Sequence, residues 1–206
     1  EKKFNIPIIE GYGLSEASPI VCLNPVHGKR KIKSIGLPLP GVEIKIVNDD
    51  GQEVKRGETG ELIARGPNIM QGYYNRTEET VEALQDGWLH TGDLAYQDQD
   101  GFVFIVGRKK DLIITAGFNV YPREVELALE EHPLVAEAAV IGLPHPVKGQ
   151  IIKAFIIPVE GHEPDKQELF HFLRTRLTSY KIPEIFAFMD ELPRSASGKI
   201  LKRLLD

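Results

Sequence analysis

Apolar and polar residues alternate in short runs along the first half of the chain, and the runs are separated by turn residues. Val42-Glu43-Ile44-Lys45-Ile46-Val47 has the period of two expected of a half-buried strand, and residues 60–65 read as another. Asn48-Asp49-Asp50-Gly51 follows the first, and Asp98-Gln99-Asp100-Gly101 precedes the apolar run of residues 102–106. Both are Asp-Gly turns that predict hairpins. The apolar stretch of residues 4–9, from Phe4 to Ile9, predicts a strand that runs into a loop at Gly11-Tyr12-Gly13. Residues 77–84 predict a short helix capped by Asn75 or Thr77. Residues 21–106 therefore read as mostly β, a barrel-like or sandwich unit.

The pattern changes near Gly107. Pro122 is suited to the first turn of a helix whose Val125, Ala128 and Leu129 share one face and which Pro133 ends. Strands follow at 135–143 and 153–157. Asp165-Lys166-Gln167-Glu168 has the form of a capping box and opens a helix with Leu169, Phe172, Leu173, Arg176 and Leu177 at helical spacing. Residues 185–189 predict a last strand. Mixed helices and strands after a β region give an α+β chain of two domains, with the boundary near residues 107–111.

Composition narrows the function classes. The 206 residues are 42% hydrophobic and 27% charged, with a net charge of −5. That is ordinary globular composition, and no global field draws the chain to nucleic acid. Cys22 is the only cysteine, which excludes an internal disulfide and a CxxC metal site and suits a reducing, cytoplasmic compartment. No apolar run approaches the ~20 residues needed to span a bilayer. The chain starts without a methionine and reaches a motif within a dozen residues, so a piece of a longer protein is expected.

Several signatures fail. Gly11-Tyr12-Gly13-Leu14-Ser15-Glu16 has Glu where a dinucleotide fingerprint needs a third glycine. Around Lys199, Pro193 and Ile200 stand where a Walker loop requires Gly and Ser or Thr. Gly13-Leu14-Ser15-Glu16-Ala17 approximates a nucleophile elbow, but no histidine has a sequence context marking it as the base; a hydrolase remains an alternative.

Four clusters remain. In residues 11–16, glycines admit a close backbone approach, Ser15 offers a hydroxyl and Glu16 a hard oxygen suited to magnesium; a plain capped turn has the same residues. In Trp88-Leu89-His90-Thr91-Gly92-Asp93, a carboxylate behind a glycine can accept both hydroxyls of a ribose diol, and is equally turn chemistry. Gly107-Arg108-Lys109-Lys110-Asp111, continuing to Pro122, has the charge of an exposed linker. Pro193-Arg194-Ser195-Ala196-Ser197-Gly198-Lys199 places a lysine where it can neutralise a phosphate or carboxylate, or be merely solvated.

In this order, Tyr12-Gly13-Leu14-Ser15-Glu16, His90-Thr91-Gly92-Asp93, Gly107-Arg108-Lys109-Lys110-Asp111 and Ser197-Gly198-Lys199 resemble the motifs of the adenylate-forming enzymes, which include acyl-CoA synthetases, peptide-synthetase adenylation domains and firefly luciferase. The stretches EGYGLSEASP, DGWLHTGDLAYQDQDGFVFIVGRKKDLIITAGFNVYPREVE and LPRSASGKILKRLL are most similar to the bacterial long-chain fatty-acid–CoA ligases. The resemblance implies a carboxylate attacking ATP to give an acyl-adenylate, followed by displacement of AMP by the CoA thiol. It implies magnesium held by Glu16, the α-phosphate bound by Ser15 (where the family usually has Thr), and adenine against Tyr12 with Gly11 in backbone contact. Asp93 would take the ribose hydroxyls and Arg108 would contact the ribose region. Lys199 would serve adenylation from a mobile lid, with Lys110 as hinge and Gly117 near the CoA tunnel.

By the same resemblance, residues 1–107 are the end of the large AMP-binding domain, with a distorted β-barrel over 21–107, and 108–206 are an α+β lid. The phosphate loop and most of the acyl pocket are expected before residue 1, so the 206 residues alone should be inactive. The expected partners are a carboxylic acid (a fatty acid by subgroup), ATP and CoA, with peripheral membrane contact compatible with such a substrate. The alternatives are adenylation of another acid without CoA as acceptor, and a non-catalytic nucleotide-binding module.

Overall fold

Antiparallel pairing organises the first part of the chain. The computed structural model describes residues 6–162, 164–196 and 198–205, and the chain divides into two compact units, Glu1–Lys109 and Lys110–Asp206. In the first unit, β1 (Gly11–Gly13), β2 (Ile20–Leu23) and β3 (Leu37–Pro38) form one antiparallel sheet in that order. A second antiparallel sheet contains β4 (Glu43–Val47), β5 (Gly60–Arg65), β6 (Leu84–Gln85), β7 (Trp88–Gln97) and β8 (Val103–Arg108), ordered β4-β5-β7-β6 with β8 also on β7. A bridge between Gly36 and Val103 joins the two sheets.

The alternation works as the sequence predicts. Ile44 and Ile46 of β4 face an interior shared with Leu62, Ala64, Leu89, Ala95 and Val103. Tyr12, Ile35 and Ile44 pack against the apolar clusters of both sheets, so the interior is continuous. On the other side, Val47, Ile63 and Trp88 make a smaller cluster, and Lys45 and Arg65 lie over the Trp88 ring at 4.8 and 4.5 Å.

Three local expectations change. Residues 6–10 form no strand, and Phe4 lies outside the described residues; the strand is Gly11–Gly13 itself, paired with β2. Only glycine permits this at position 13, where a Cβ would fall 1.9 Å from the Pro19 carbonyl oxygen. The helix α1 (Thr77–Ala83) begins after Arg76 instead of an Asn75 or Thr77 cap. Thr80 Oγ1 donates to the Arg76 carbonyl and accepts from the Tyr73 N–H, so a side chain inside the helix closes its first turn. Finally, β7 is the longest strand of the unit, although residues 88–93 read only as a motif.

The second unit is a five-stranded sheet covered on both faces. Its elements are β9 (Ile113–Thr115), β10 (Phe118–Val120), α2 (Pro122–Glu130), β11 (Val135–His145), β12 (Gly149–Pro158), α3 (Lys166–Arg174) and β13 (Ile185–Phe188), in sheet order β10-β9-β12-β11 with β13 parallel to β12. Pro122 occupies the start of α2 as predicted. Asp165 caps α3 by accepting the Gln167 N–H at 3.0 Å. Glu168 departs from the capping-box expectation and lies 3.5 Å from His132. Ala138, Val140, Ile152, Ala154 and Ile156 face α2 and α3, where Val125, Leu129, Leu169 and Leu173 are fully buried. Each such leucine contributes roughly 1.5–3 kcal/mol by leaving water. Ala139, Ile141, Phe155 and Ile157 point the other way and pack against Leu192, Ile200 and Leu205. The C-terminal segment is thus a second cover for the sheet.

Cys22 sits on β2 opposite Tyr12, fully buried, and burial pushes its thiol up to about 12. It is therefore expected to stay unmodified by a thiol reagent under native conditions and to react fully in denaturant. Rapid native-state labelling at the rate of a free thiol would contradict the packing of β1 on β2.

Candidate active site

Asp93 is the point at which distant segments of the first unit meet. It lies on β7 directly opposite Arg108 on β8, and is 6% exposed. The Tyr12 hydroxyl donates to Asp93 Oδ2 at 2.5 Å, and Arg108 Nε lies 3.0 Å from Oδ1. Burial, reinforced by this bond to a carboxylate, raises the Tyr12 phenol above its usual range, so it remains a donor. Each carboxylate oxygen has lone pairs beyond those already engaged, so Asp93 can still accept hydroxyl donors. The residue is set in place by its own strand: Thr91 Oγ1 accepts the Asp93 N–H at 3.1 Å and donates to the Leu62 carbonyl at 2.6 Å.

Ser15 and Glu16 form the 3₁₀ turn Ser15–Ala17 directly after β1. Asn68 Nδ2 donates to the carbonyls of Ala17 and Ile20 at 2.8 and 3.0 Å, and the Met70 N–H donates to the Glu16 carbonyl. The turn is thereby held from the side. The Tyr73 hydroxyl donates to Glu16 Oε1 at 2.8 Å, which raises the Tyr73 phenol and leaves Oε2 as a hard oxygen donor. Gly11 is exposed beside Tyr12, and Ser15 is exposed beside Glu16. This donor set fits a hydrated magnesium ion, which takes one or two carboxylates and keeps its waters.

A buried carboxylate stands behind this cluster. Glu61, on β5, accepts the Gly92 N–H through Oε1 at 3.1 Å, and its Oε2 lies 3.2 Å from Lys109 Nζ and 3.3 Å from His90 Nδ1. Burial alone would raise the Glu61 carboxyl; the bonds from His90, Lys109 and Gly92 outweigh it and hold the carboxyl below its usual range. Lys109 also reaches Asp49 at 2.9 Å, and that contact, with Glu61, raises its ammonium. The division between the two units falls between Lys109 and Lys110, within the exposed 3₁₀ turn Lys109–Asp111.

Lys199 and Gly117 belong to the second unit. Gly117 (φ +83°) and Ala116 form the two-residue turn of the β9–β10 hairpin, a turn that demands left-handed backbone. The hairpin stands beside an open groove of about 800 Å³ lined by Lys148, Lys166, Phe170, Tyr180 and Phe186, with Phe118 stacked on Tyr180 at 4.5 Å. Lys199 is exposed in a closed turn: the Ser195 N–H donates to its carbonyl at 2.8 Å, and its own N–H donates to Ser195 Oγ at 3.2 Å. Arg194 pairs with Glu137 of β11 and donates to the Gly198 carbonyl, and Lys202 pairs with the buried Glu126 of α2 at 2.5 Å. No described residue pairs with the Lys199 ammonium. Ser197 lies outside the described residues.

The structure thus brings Gly11, Tyr12, Asp93 and Arg108 to one place, with Ser15 and Glu16 on the turn that follows. Sequence reasoning missed Glu61, Asn68 and Tyr73. Their partners lie 29 to 57 residues away, and each occupies an unremarkable place in its own segment.

Residues 1–74 match the family of AMP-binding enzymes, and residues 124–199 match the AMP-binding enzyme C-terminal domain. The chain belongs to the AMP-binding, adenylate-forming enzymes. It is 47% identical over all 206 residues to the long-chain-fatty-acid–CoA ligase of Bacillus subtilis, of which it spans 37%. ATP-bound MatB from Rhodopseudomonas palustris is 38% identical, with TM-score 0.91, over 96% of this chain and 40% of that one. The o-succinylbenzoate CoA synthetase MenE of B. subtilis is 40% identical over 99% of this chain and 42% of its own. Its structure with an acyl-adenylate superposes at TM-score 0.90, and that with ATP and magnesium at 0.88. Among the described residues, no helix is long and apolar enough to cross a membrane.

The depressed Glu61 pKa has a pH signature. An unfolded glutamate titrates near ~4.3, and the folded value is lower, so the stabilisation is complete above the unfolded value and lost as pH falls through the folded one. The stability gap between wild type and Glu61→Gln, measured by urea unfolding, should be widest near pH ~7 and narrow on acidification below pH ~4. A gap independent of pH would show that the charge of Glu61 contributes nothing.

Proposed function

We propose that this chain is part of an AMP-forming acid–thiol ligase acting on a long-chain fatty acid. The observation that carries the reading is the convergence of Tyr12, Asp93 and Arg108, three residues 15 to 96 positions apart, on one carboxylate. In this reading Asp93 accepts the ribose hydroxyls of ATP, Arg108 lies over the same sugar, and Tyr12 and Gly11 border the adenine. Ser15 donates to the α-phosphate. Glu16 would hold magnesium, which when bound supplies positive charge against the crowded phosphate oxygens.

Two bond exchanges follow. A carboxylate oxygen attacks the α-phosphorus of ATP, and the bond to pyrophosphate breaks. The CoA sulfur then attacks the acyl carbon of the adenylate, the C–O bond to AMP breaks and the thiol proton is released. Lys199 offsets the negative charge of the first exchange. The second unit acts as a lid that presents Lys199 for adenylation and the Gly117 hairpin for thioester formation, turning at Lys110. The proposed domains are the end of the large AMP-binding domain, expected over residues 1–107, and the lid, expected over 108–206; the compact units divide two residues later, after Lys109. A cytoplasmic setting with contact at a membrane surface suits the substrate.

Fatty acid is favoured by the 47% identity to the B. subtilis ligase, while the likeness to the o-succinylbenzoate CoA synthetase MenE supports a second reading with another carboxylic acid. Pyrophosphate release by the full-length protein across a panel of fatty, aryl and short dicarboxylic acids decides between them. Activity confined to the latter two classes would overturn the fatty-acid assignment.

Lys199→Ala should lower adenylation by about 100-fold or more while leaving thioester formation from supplied acyl-adenylate largely intact. Equal loss of both steps would remove Lys199 from its assigned role. The isolated 206 residues should release no AMP in the presence of fatty acid, ATP and CoA, and turnover above background would defeat that proposal.

A further inference from the structure

Glu61 is buried, charged, and bonded at both ends. One oxygen takes the N–H of Gly92, the residue immediately before Asp93; the other lies against Lys109, the last residue of the first unit. Gly92 is held at φ +69°, and nothing within 4 Å of its missing Cβ packs on it. No neighbour wedges this left-handed peptide at the Cβ position, so the hydrogen bonds on it, together with the pairing of Asp93 with Arg108, contribute to its direction. Three side-chain bonds hold this irregular stretch of β7: Glu61 on Gly92, and Thr91 on the Asp93 N–H and on the Leu62 carbonyl. A bond from an N–H to a buried carboxylate is the stronger type. The carboxylate itself is kept in place by Lys109 and His90, so its hold on Gly92 includes the charge at the end of the unit.

We propose that Glu61 is a positioning residue for Asp93. It fixes the Gly92 peptide so that the Asp93 carboxylate meets the two ribose hydroxyls together, and Lys109 completes this support from the boundary between the units. The proposal rests on Asp93 being the ribose acceptor. It adds that the nucleotide site is set partly by the residue beside the expected hinge. Lys109 thereby becomes a point through which the boundary and the sugar subsite influence one another.

The test is binding of AMP and of 2′-deoxy-AMP to the full-length protein by titration calorimetry, with thermal melts in parallel. Wild type should prefer AMP by about tenfold, the worth of one hydrogen bond to a charged group. In Asp93→Asn that preference should collapse. In Glu61→Gln it should fall to about threefold or less, with AMP affinity weakened about tenfold. Adding Glu61→Gln to Asp93→Asn should cost less than a further twofold, because the glutamate acts through the aspartate.

Retention of the preference by Asp93→Asn would overturn the ribose assignment and the proposal with it. Loss in Asp93→Asn but full retention in a folded Glu61→Gln, melting point lowered or not, would overturn the positioning role alone. Additive effects in the double variant would do the same. If Glu61→Gln fails to fold, Lys109→Gln replaces it. That variant keeps the Gly92 bond and should reduce the preference by about twofold to threefold, and an unchanged preference would sink the proposal.

Discussion

A buried carboxylate that accepts bonds from two other strands is the constraint on which the first unit depends. Asp93 holds the Tyr12 hydroxyl on one oxygen and the Arg108 guanidinium on the other, so β1 and the end of β8 are both tied to β7. A carboxylate sheltered from water is costly unless both oxygens are engaged. Here the same bonds that satisfy it also bring together residues that the chain order separates. The partners are unequal in exposure: Tyr12 is committed to the interior, whereas Arg108 is exposed. One side of the cluster is therefore fixed and the other open to solvent.

The two sheets behind Asp93 supply its rigidity. Residues of β5 are buried from Gly60 to Ala64, on both sides of the strand, so the row that includes Glu61 cannot shift without disturbing Leu62 and Ile63. The Glu61 network and the Asp93 network leave adjacent positions of β7, through Gly92 and Asp93. A polar layer of this kind is stable only when its members are satisfied, and both carboxylates are. The turn bearing Ser15 and Glu16 follows β1 without an intervening loop, so it inherits the same support.

Much of the fold was legible because it depends on local period. The strands at 42–47 and 60–65, the hairpin turns, the Pro122 helix and the Asp165 cap all follow from residues within a few positions of one another. Strand β7 escaped because His90-Thr91-Gly92 interrupts its alternation with polar residues and a left-handed glycine. The strand expected over residues 4–9 was displaced to Gly11–Gly13, where backbone proximity to Pro19 outweighs the low strand propensity of glycine. The site was legible as motif words, but not as geometry. That Tyr12 meets Asp93 across 81 residues, or that Tyr73 reaches Glu16, is set by sheet register, which no single segment encodes.

The cover formed by the C-terminal segment has a consequence for Lys199. Leu192 before it and Leu205 after it are buried against the same sheet face, and Arg194 and Lys202 are clamped to β11 and α2. The turn between is thus an arch with both feet planted. Its lysine projects between anchored residues on its own four-carbon stem. The volume swept by the ammonium is correspondingly small, and the entropy lost on meeting an anion is that of side-chain rotors alone. Any larger displacement of such a charge would have to take the sheet beneath it along.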